Sequence, residues 1–258
     1  MTRYSRYRTA FQTIFTKELL RFTRIWLQTI LPPVITTVLY YIIFGNLIGS
    51  RIGEMDGFSY IDFIVPGLIL MAVITNSYSN VVSSFFSSKF QRHVEELIIS
   101  PVPNWIILSG YVAGGVARGV MVGIAVTGVS LLFTDIQVQS YGWTLTVFVL
   151  TAILFSLAGF INAVYADSFD DITIVPTFIL TPLTYLGGVF YSINMLPEIW
   201  QQISLANPIL YMVNAFRYGL LGVSDIPMGL ALGIVVLFIV ALTGFSLYLL
   251  NRGIGIKS

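Results

Sequence analysis

Six runs of mostly apolar residues, each about 20 or more long, dominate the chain: residues 27–49, 60–86, 105–133, 141–165, 172–191 and 227–250. At ~1.5 Å per residue, a helix of that length reaches across the ~30 Å hydrocarbon core of a bilayer. Charged residues make up 10% of the 258 positions, where a water-soluble domain carries roughly 25%. Lipid demands that shortage, because an ionised side chain at the bilayer centre costs ~2.5–3.5 kcal/mol on insertion scales. Strands of a membrane barrel would be roughly ten residues long and alternate in polarity, whereas these runs are long and continuously apolar. The expectation is an all-α polytopic membrane protein with six transmembrane helices. It forms a single domain over residues 1–258, since no polar stretch is long enough for a second. Pro32, Pro33, Pro66, Pro176 and Pro182 fall inside the runs, and membrane helices tolerate them because neighbouring groups re-satisfy the freed backbone.

Residues 1–26 carry Arg3, Arg6, Arg8, Lys17, Arg21 and Arg24 among Tyr7, Ala10, Phe11, Ile14, Phe15, Leu19, Phe22 and Trp26. Charge spread through the whole segment excludes a cleavable signal. The apolar members recur at helical spacing, which predicts an amphipathic helix on the cytoplasmic membrane face. The alternative is a solvated basic tail, which the density of aromatic residues argues against. Basic residues also set orientation. With the N-terminus in the cytoplasm, those six together with Lys89, Arg92, Arg252 and Lys257 lie inside, ten of the 13 lysines and arginines. Asp167, Asp170 and Asp171 occupy the remaining inside loop, but acidic residues weigh little in this rule. Both termini are expected in the cytoplasm.

A net charge of +1 offers no attraction for nucleic acid, and the absence of cysteine excludes disulfides, thiolate metal sites and a cysteine nucleophile. His93 is the only histidine. That removes a His-Glu-x-x-His zinc helix and argues against a Ser-His protease. No catalytic, cofactor-binding or metal-binding residues are expected, and the three aspartates fit a solvated loop.

Between the second and third spans, residues 88–104 include Lys89-Phe90-Gln91-Arg92-His93-Val94-Glu95-Glu96-Leu97-Ile98-Ile99-Ser100-Pro101-Val102-Pro103. A short helix fits, charged on one side and apolar on the other (Phe90, Val94, Leu97, Ile98), and stopped by Pro101 and Pro103. It is either an ordinary connector resting on the membrane or a coupling helix seated in a groove of a partner ATPase. Coupling would use Arg92, His93, Glu95, Glu96, Leu97 and Pro101. No Gly-x-x-x-x-Gly-Lys-[Ser/Thr] phosphate loop occurs in the chain, so any ATP must bind another polypeptide.

The third span places Gly115, Gly119 and Gly123 on one ridge, where a second backbone can approach closely. Tight packing within one subunit is the simpler account; a dimer interface or moving seam is the other. Arg118 lies in the same span, roughly 20 Å from its cytoplasmic end, and must face protein or a wet cavity. Asn76 on the second span is its expected partner. Arg118 is then either a structural staple or a contact for an anionic substrate.

Further along, the sequence reads Leu180-Thr181-Pro182-Leu183-Thr184-Tyr185-Leu186-Gly187-Gly188-Val189, six residues, Leu196-Pro197, ten residues, Pro208-Ile209-Leu210-Tyr211, five residues, then Arg217. This spacing, marked by Gly187, Pro197, Pro208 and Arg217, resembles the signature of ABC-2 type transporter permeases, the membrane-spanning halves of bacterial ATP-driven exporters. The loop at residues 88–104 resembles the coupling loop of that family, where a Glu-x-Leu-Leu-like run precedes a proline. Here His93-Val94 stand where many members have Gly-Thr, and Leu97-Ile98 replace a leucine pair. The resemblance covers nearly the whole chain and is strongest to the polysaccharide, nodulation-factor and drug export branches.

That resemblance implies a homodimer in the bacterial inner membrane with two copies of a separate ABC ATPase. Closure of the ATPases would push the coupling loops and open an outward pathway between subunits. The second and fifth spans would line it, with Asn76, Tyr78, Thr184, Tyr185 and Tyr191 as candidates. Tyrosines offer an amphipathic cargo (a lipid-linked glycan, a polysaccharide or a drug-like molecule) both a ring face and a hydroxyl. Residues 192–226 contain two short amphipathic stretches separated by the turn-initiating pair Asn207-Pro208. They resemble the family's re-entrant helices between the fifth and sixth spans; interfacial anchoring by Trp200, Tyr211 and Tyr218 is the alternative. Arg217 takes the family's basic position.

Two other classes compete. An ion-coupled secondary transporter would bury carboxylates near mid-membrane, and only Asp62 comes close, near a helix end. No inverted repeat is visible either. An intramembrane enzyme would need acid, base and nucleophile together, and no span holds such a cluster.

Overall fold

The computed structural model describes residues 3–135 and 137–255; Lys257, counted above for orientation, lies outside them, as do the side chains of Arg3 and Ile98. Helix α1 (Arg3–Thr23) ends in a turn at Arg24 and Ile25, and α2 (Trp26–Tyr40) follows at once. Trp26 therefore opens α2 and is not part of the first helix. A wider π-helical stretch, Tyr41–Ile48, carries α2 into α3 (Gly49–Ile52). A two-residue ladder of β1 (Glu54–Met55) against β2 (Phe58–Ser59) then turns the chain. Its turn is Asp56-Gly57, both at positive φ (51° and 81°), the geometry that lets a two-residue hairpin match strand twist.

Helix α4 (Tyr60–Phe90) begins with a reciprocal cap. The Asp62 N–H donates to the Ser59 hydroxyl oxygen at 3.3 Å, and that hydroxyl donates back to the Asp62 carboxylate at 2.5 Å. Ser59 is thus the N-cap, and Asp62 takes part in the cap from the first turn. After α4 come α5 (His93–Ile99), α6 (Asn104–Ser130) and α7 (Tyr141–Tyr165). Next are α8 (Asp171–Ile174), a second π-helical stretch Val175–Leu180, and α9 (Thr181–Tyr185). A 3₁₀ turn at Ile193–Met195, α10 (Glu198–Leu205), α11 (Pro208–Leu221) and α12 (Met228–Arg252) complete the chain.

Five helices among the described residues are long and apolar enough to cross a membrane: Trp26–Ile52, Tyr60–Phe90, Asn104–Ser130, Tyr141–Tyr165 and Met228–Arg252. The expected run at 172–191 is not among them. Its helix covers only residues 171–185, roughly 20 Å at ~1.5 Å per residue. Pro176 and Pro182 remove N–H donors from it. The turn at residues 186–191 then ends it, with Gly188 at a φ of 71°. In the wider coil the Pro176 carbonyl accepts from both the Thr181 N–H and the Thr181 hydroxyl, the latter at 2.9 Å.

Helix α4 is the hub, packed between α6 and α7, with α11 against its N-terminal part. Phe63, Ile64, Leu70, Phe85, Phe160 and Val213 are buried there. Close approach depends on missing side chains. A Cβ on Gly159 of α7 would lie 2.5 Å from the Tyr78 carbonyl oxygen of α4. The glycine ridge of α6 meets α4 and α7 of the same chain: Gly115 faces Val81 and Ser156, Gly119 faces Ser77, and Gly123 faces Val73 and Phe148. It packs one subunit, the simpler of the two accounts.

Helix α11 departs from the expected amphipathic pattern. Its residues are buried on nearly every side, with Tyr218 the exposed one. Helix α10 keeps the pattern and exposes Ile199 and Trp200.

Candidate functional site

At the end where α4 meets α5, α4 and α7 are tied together. The Lys89 ammonium donates to the Val164 and Ala166 carbonyls, at 2.8 and 2.7 Å, and pairs with Asp167 at 3.6 Å. A cation on the last carbonyls of α7 satisfies groups the helix leaves open and complements its dipole. Phe86 and Phe90 pack against Phe169, so Phe90 belongs to α4 and not to the next helix. In the same loop Asp171 accepts from the N–H groups of Asp167 and Ser168. Those backbone donors hold its carboxyl below the usual carboxylate range.

Arg92 turns the chain into α5 with a φ of 60°, and Ser100 leaves it extended, as a residue before proline prefers. Glu95 and Glu96 sit in the first turn, where the helix dipole favours acids. Val94 is buried and anchors the helix, and Leu97 is half-buried. Arg92, His93, Glu96 and Pro101 are exposed, and Ile99 is 85% exposed. A cavity of about 390 Å³ separates α5 from α1, lined by Arg6, Thr13, Leu97 and Pro101 among others.

Helix α1 does not merely lie on a membrane face: its Ile14 and Phe22 are buried against the body of the protein. Ile14 and Glu18 fit over Gly110 and Gly114 of α6. Glu18 was not foreseen: it is fully buried. It accepts hydrogen bonds from the Ser84 hydroxyl and from Asn80 Nδ2 (3.4 Å), and pairs with Arg21 at 3.4 Å. Arg21 in turn donates to the Asn80 carbonyl and side-chain oxygens, both at 2.7 Å, and to Ser83 at 3.2 Å. The clue in sequence was the i, i+3 pair Glu18–Arg21 on the apolar face.

Arg118 and Asn76 line one cavity of about 360 Å³ between α2 and α4. The expected bond between them is absent. Asn76 Nδ2 donates to the Ala72 carbonyl of its own helix at 3.0 Å, and the Arg118 Nε is buried without a partner. Tyr40 closes one end of the cavity, its hydroxyl 3.0 Å from that of Tyr185. Phe44 and Tyr185 stack on Phe190, and Tyr40 lies beside it. Tyr78 is buried under Gly159, Thr184 is buried and donates to the Leu180 carbonyl at 2.7 Å, and Tyr191 is half-buried.

The spaced residues at 180–217 hold one another in place. Gly187 leaves no room for a side chain, since a Cβ would meet Ile209 at 2.7 Å. Pro197 precedes α10 and Pro208 opens α11, capped by Asn207, whose side-chain oxygen accepts from the Ile209 N–H at 3.0 Å. Asn207 also donates to the Leu183 carbonyl at 2.6 Å. Arg217 is buried, donates to the Gly188 carbonyl at 2.6 Å and lies 3.9 Å above the Phe63 ring. Asp225 accepts from the Ser192 hydroxyl, the Ile193 N–H and the Asn194 amide, at 2.8, 3.2 and 3.3 Å. Asp225→Ala strands those three donors and should lower stability by about 1–3 kcal/mol, read as a lower thermal midpoint in detergent. An unchanged midpoint would count against this clamp.

Together these features define an all-α polytopic membrane protein with a clamped first helix and a projecting α5. The pattern of the ABC-2 type transporter family matches residues 9–221, and the chain belongs to that family. The protein named Inner membrane transport permease YadH of Escherichia coli (strain K12) is 59% identical over 252 residues, 98% of each chain. Nodulation protein J of Rhizobium meliloti (strain 1021) is 24% identical over 240 residues, 93% of this chain and 92% of its own. Nodulation protein J of Sinorhizobium fredii (strain NBRC 101917 / NGR234) is 26% identical over 213 residues, 82% and 79% of the two chains.

Proposed function

We propose that this chain is the membrane-spanning subunit of an ATP-driven exporter in the bacterial inner membrane, with both termini cytoplasmic. Two copies pair with each other and with two copies of a separate ABC ATPase, moving an amphipathic cargo such as a lipid-linked glycan, a polysaccharide or a drug-like molecule outward. The observation that carries this is α5: a short helix fixed by Val94 that presents Arg92, His93, Glu96 and Ile99 to solvent, in a chain without a phosphate loop. The name of the 59% identical relative, an inner membrane transport permease, supports the inner membrane. The short helical run at 171–185 and the pair α10–α11 are read as the remaining crossing and the re-entrant cap. Asn76, Tyr78, Arg118, Thr184, Tyr185 and Tyr191 stay the pathway candidates.

The ion-coupled alternative gains no support from the carboxylates. Asp62 takes part in a helix cap, and Glu18 is paired with Arg21. The test is affinity purification of the full chain in gentle detergent with mass spectrometry of what stays bound. An ATPase with a Walker-type phosphate loop should co-purify and be lost from the Glu95→Lys/Glu96→Lys variant, while the thermal midpoint is kept. If no ATPase is recovered under conditions that preserve a control complex, ion-coupled transport becomes the better account.

A further inference from the structure

We propose that the cavity between α2 and α4 binds the phosphate-type anionic headgroup of a membrane amphiphile, with Arg118 as its anion-binding residue. This deepens, and rests on, the transport reading above. A guanidinium offers five N–H donors and no acceptor. That of Arg118 forms no hydrogen bond or ion pair among the described residues, and its Nε is buried. The ion pairs found among those residues join Arg21 to Glu18 and Lys89 to Asp167. The site therefore holds a cation with no internal counter-ion, an arrangement that is costly in a low-dielectric interior unless a partner arrives.

Several of the other polar groups lining the cavity direct their protons elsewhere. Thr37 donates to the Pro33 carbonyl at 2.8 Å, Thr75 to the Met71 carbonyl at 2.9 Å, and Asn76 to that of Ala72 at 3.0 Å. What remains for a ligand is the Arg118 fork, which matches the geometry of phosphate oxygens, with Gln28 and Thr36 on the same lining. Pro32 and Pro33 line the same wall. Lacking N–H groups, they free the carbonyls of Gln28 and Thr29 one turn earlier, acceptors for hydroxyls carried beside a phosphate.

The membrane source follows from how α2 is held. It packs chiefly on α6 and barely touches α4, which leaves the cleft between them. Its outward side chains, Leu31, Ile35 and Leu39, are exposed and apolar. An occupant can keep its headgroup on Arg118 and its chain along that lipid-facing side. At about 360 Å³ the cavity falls within the ordinary size of small-ligand sites, roughly 300–1,000 Å³.

The test is native mass spectrometry of the purified full chain titrated with dioleoyl phosphatidic acid, with dioleoyl phosphatidylcholine as the zwitterionic control. The wild type should prefer phosphatidic acid by at least about tenfold, the scale of one charge-assisted contact. Arg118→Gln should lose that preference and Arg118→Lys should keep most of it. Thr36→Phe, which fills the cleft from an exposed position and leaves the arginine in place, should also lose it at an unchanged thermal midpoint. That variant decides the matter if Arg118→Gln does not fold. Equal preference in wild type and Thr36→Phe overturns the proposal. Displacement of the lipid by an equal concentration of inorganic phosphate overturns the membrane source. The assay contains no ATPase, so failure here leaves ATPase pairing standing, and the reverse also holds.

Discussion

Glu18→Ala should release α1 from the body of the protein at a cost of about 3–5 kcal/mol, the usual penalty for removing one member of a buried ion pair. The alanine leaves the Arg21 guanidinium, the Asn80 amide and the Ser84 hydroxyl without their shared acceptor. Arg21 is part-exposed at 31%, which places the loss toward the lower end of that range. It also empties the space above Gly114. Thermal unfolding in detergent should show a large drop in midpoint, and limited proteolysis should cut within residues 1–25 first. Glu18→Gln keeps one acceptor oxygen and should fall between the two. If Glu18→Ala unfolds with the wild type and resists protease equally, α1 is held by its apolar face alone.

Gly159→Leu should be as damaging for a different reason. The obstruction beside Gly159 is the Tyr78 carbonyl of α4, 2.5 Å from where a Cβ would sit. A backbone cannot rotate away as a side chain can, so α4 and α7 must separate. Overpacking of this kind costs about 1–3 kcal/mol or more, and here it falls in the central helix pair. Gly159→Ala should show a smaller loss in the same direction. Gly128→Ala is the control, because nothing lies within 4 Å of a Cβ there. Similar midpoints for Gly159→Leu and the control would mean that the helix pair has slack.

Much of this architecture was legible in the residues because lipid punishes exposed polarity so strongly. Five of the six apolar runs fall within a few residues of the long apolar helices found. Other features depend on rotation about a helix axis, which spacing does not fix. Depth along the chain put Asn76 level with Arg118, yet the amide turns back to its own helix at Ala72. The cavity they share exists because α2 leans on α6 and away from α4, a choice of neighbour written in no single segment. Glu18 drew no notice in the sequence; only the surfaces of α4 and α6 show that it is enclosed. The stretch that forms α11 reads as amphipathic, with Asn214 and Arg217 among its polar members. They are buried because Asp225, Gly188 and Phe63 supply what water would otherwise provide.

The Lys89 bridge makes two helices respond as one. Arg92 follows it by three positions, and the hydrogen bonds to Val164 and Ala166 tie the foot of α4 to that of α7. Force applied to α5 is therefore shared by two crossing rods before anything else moves, and those rods meet along a seam with almost no play at Gly159. Helix α2 stands outside that load path, touching α4 little. A lever of this construction moves the stiff pair as a block and leaves the lightly held wall to give way.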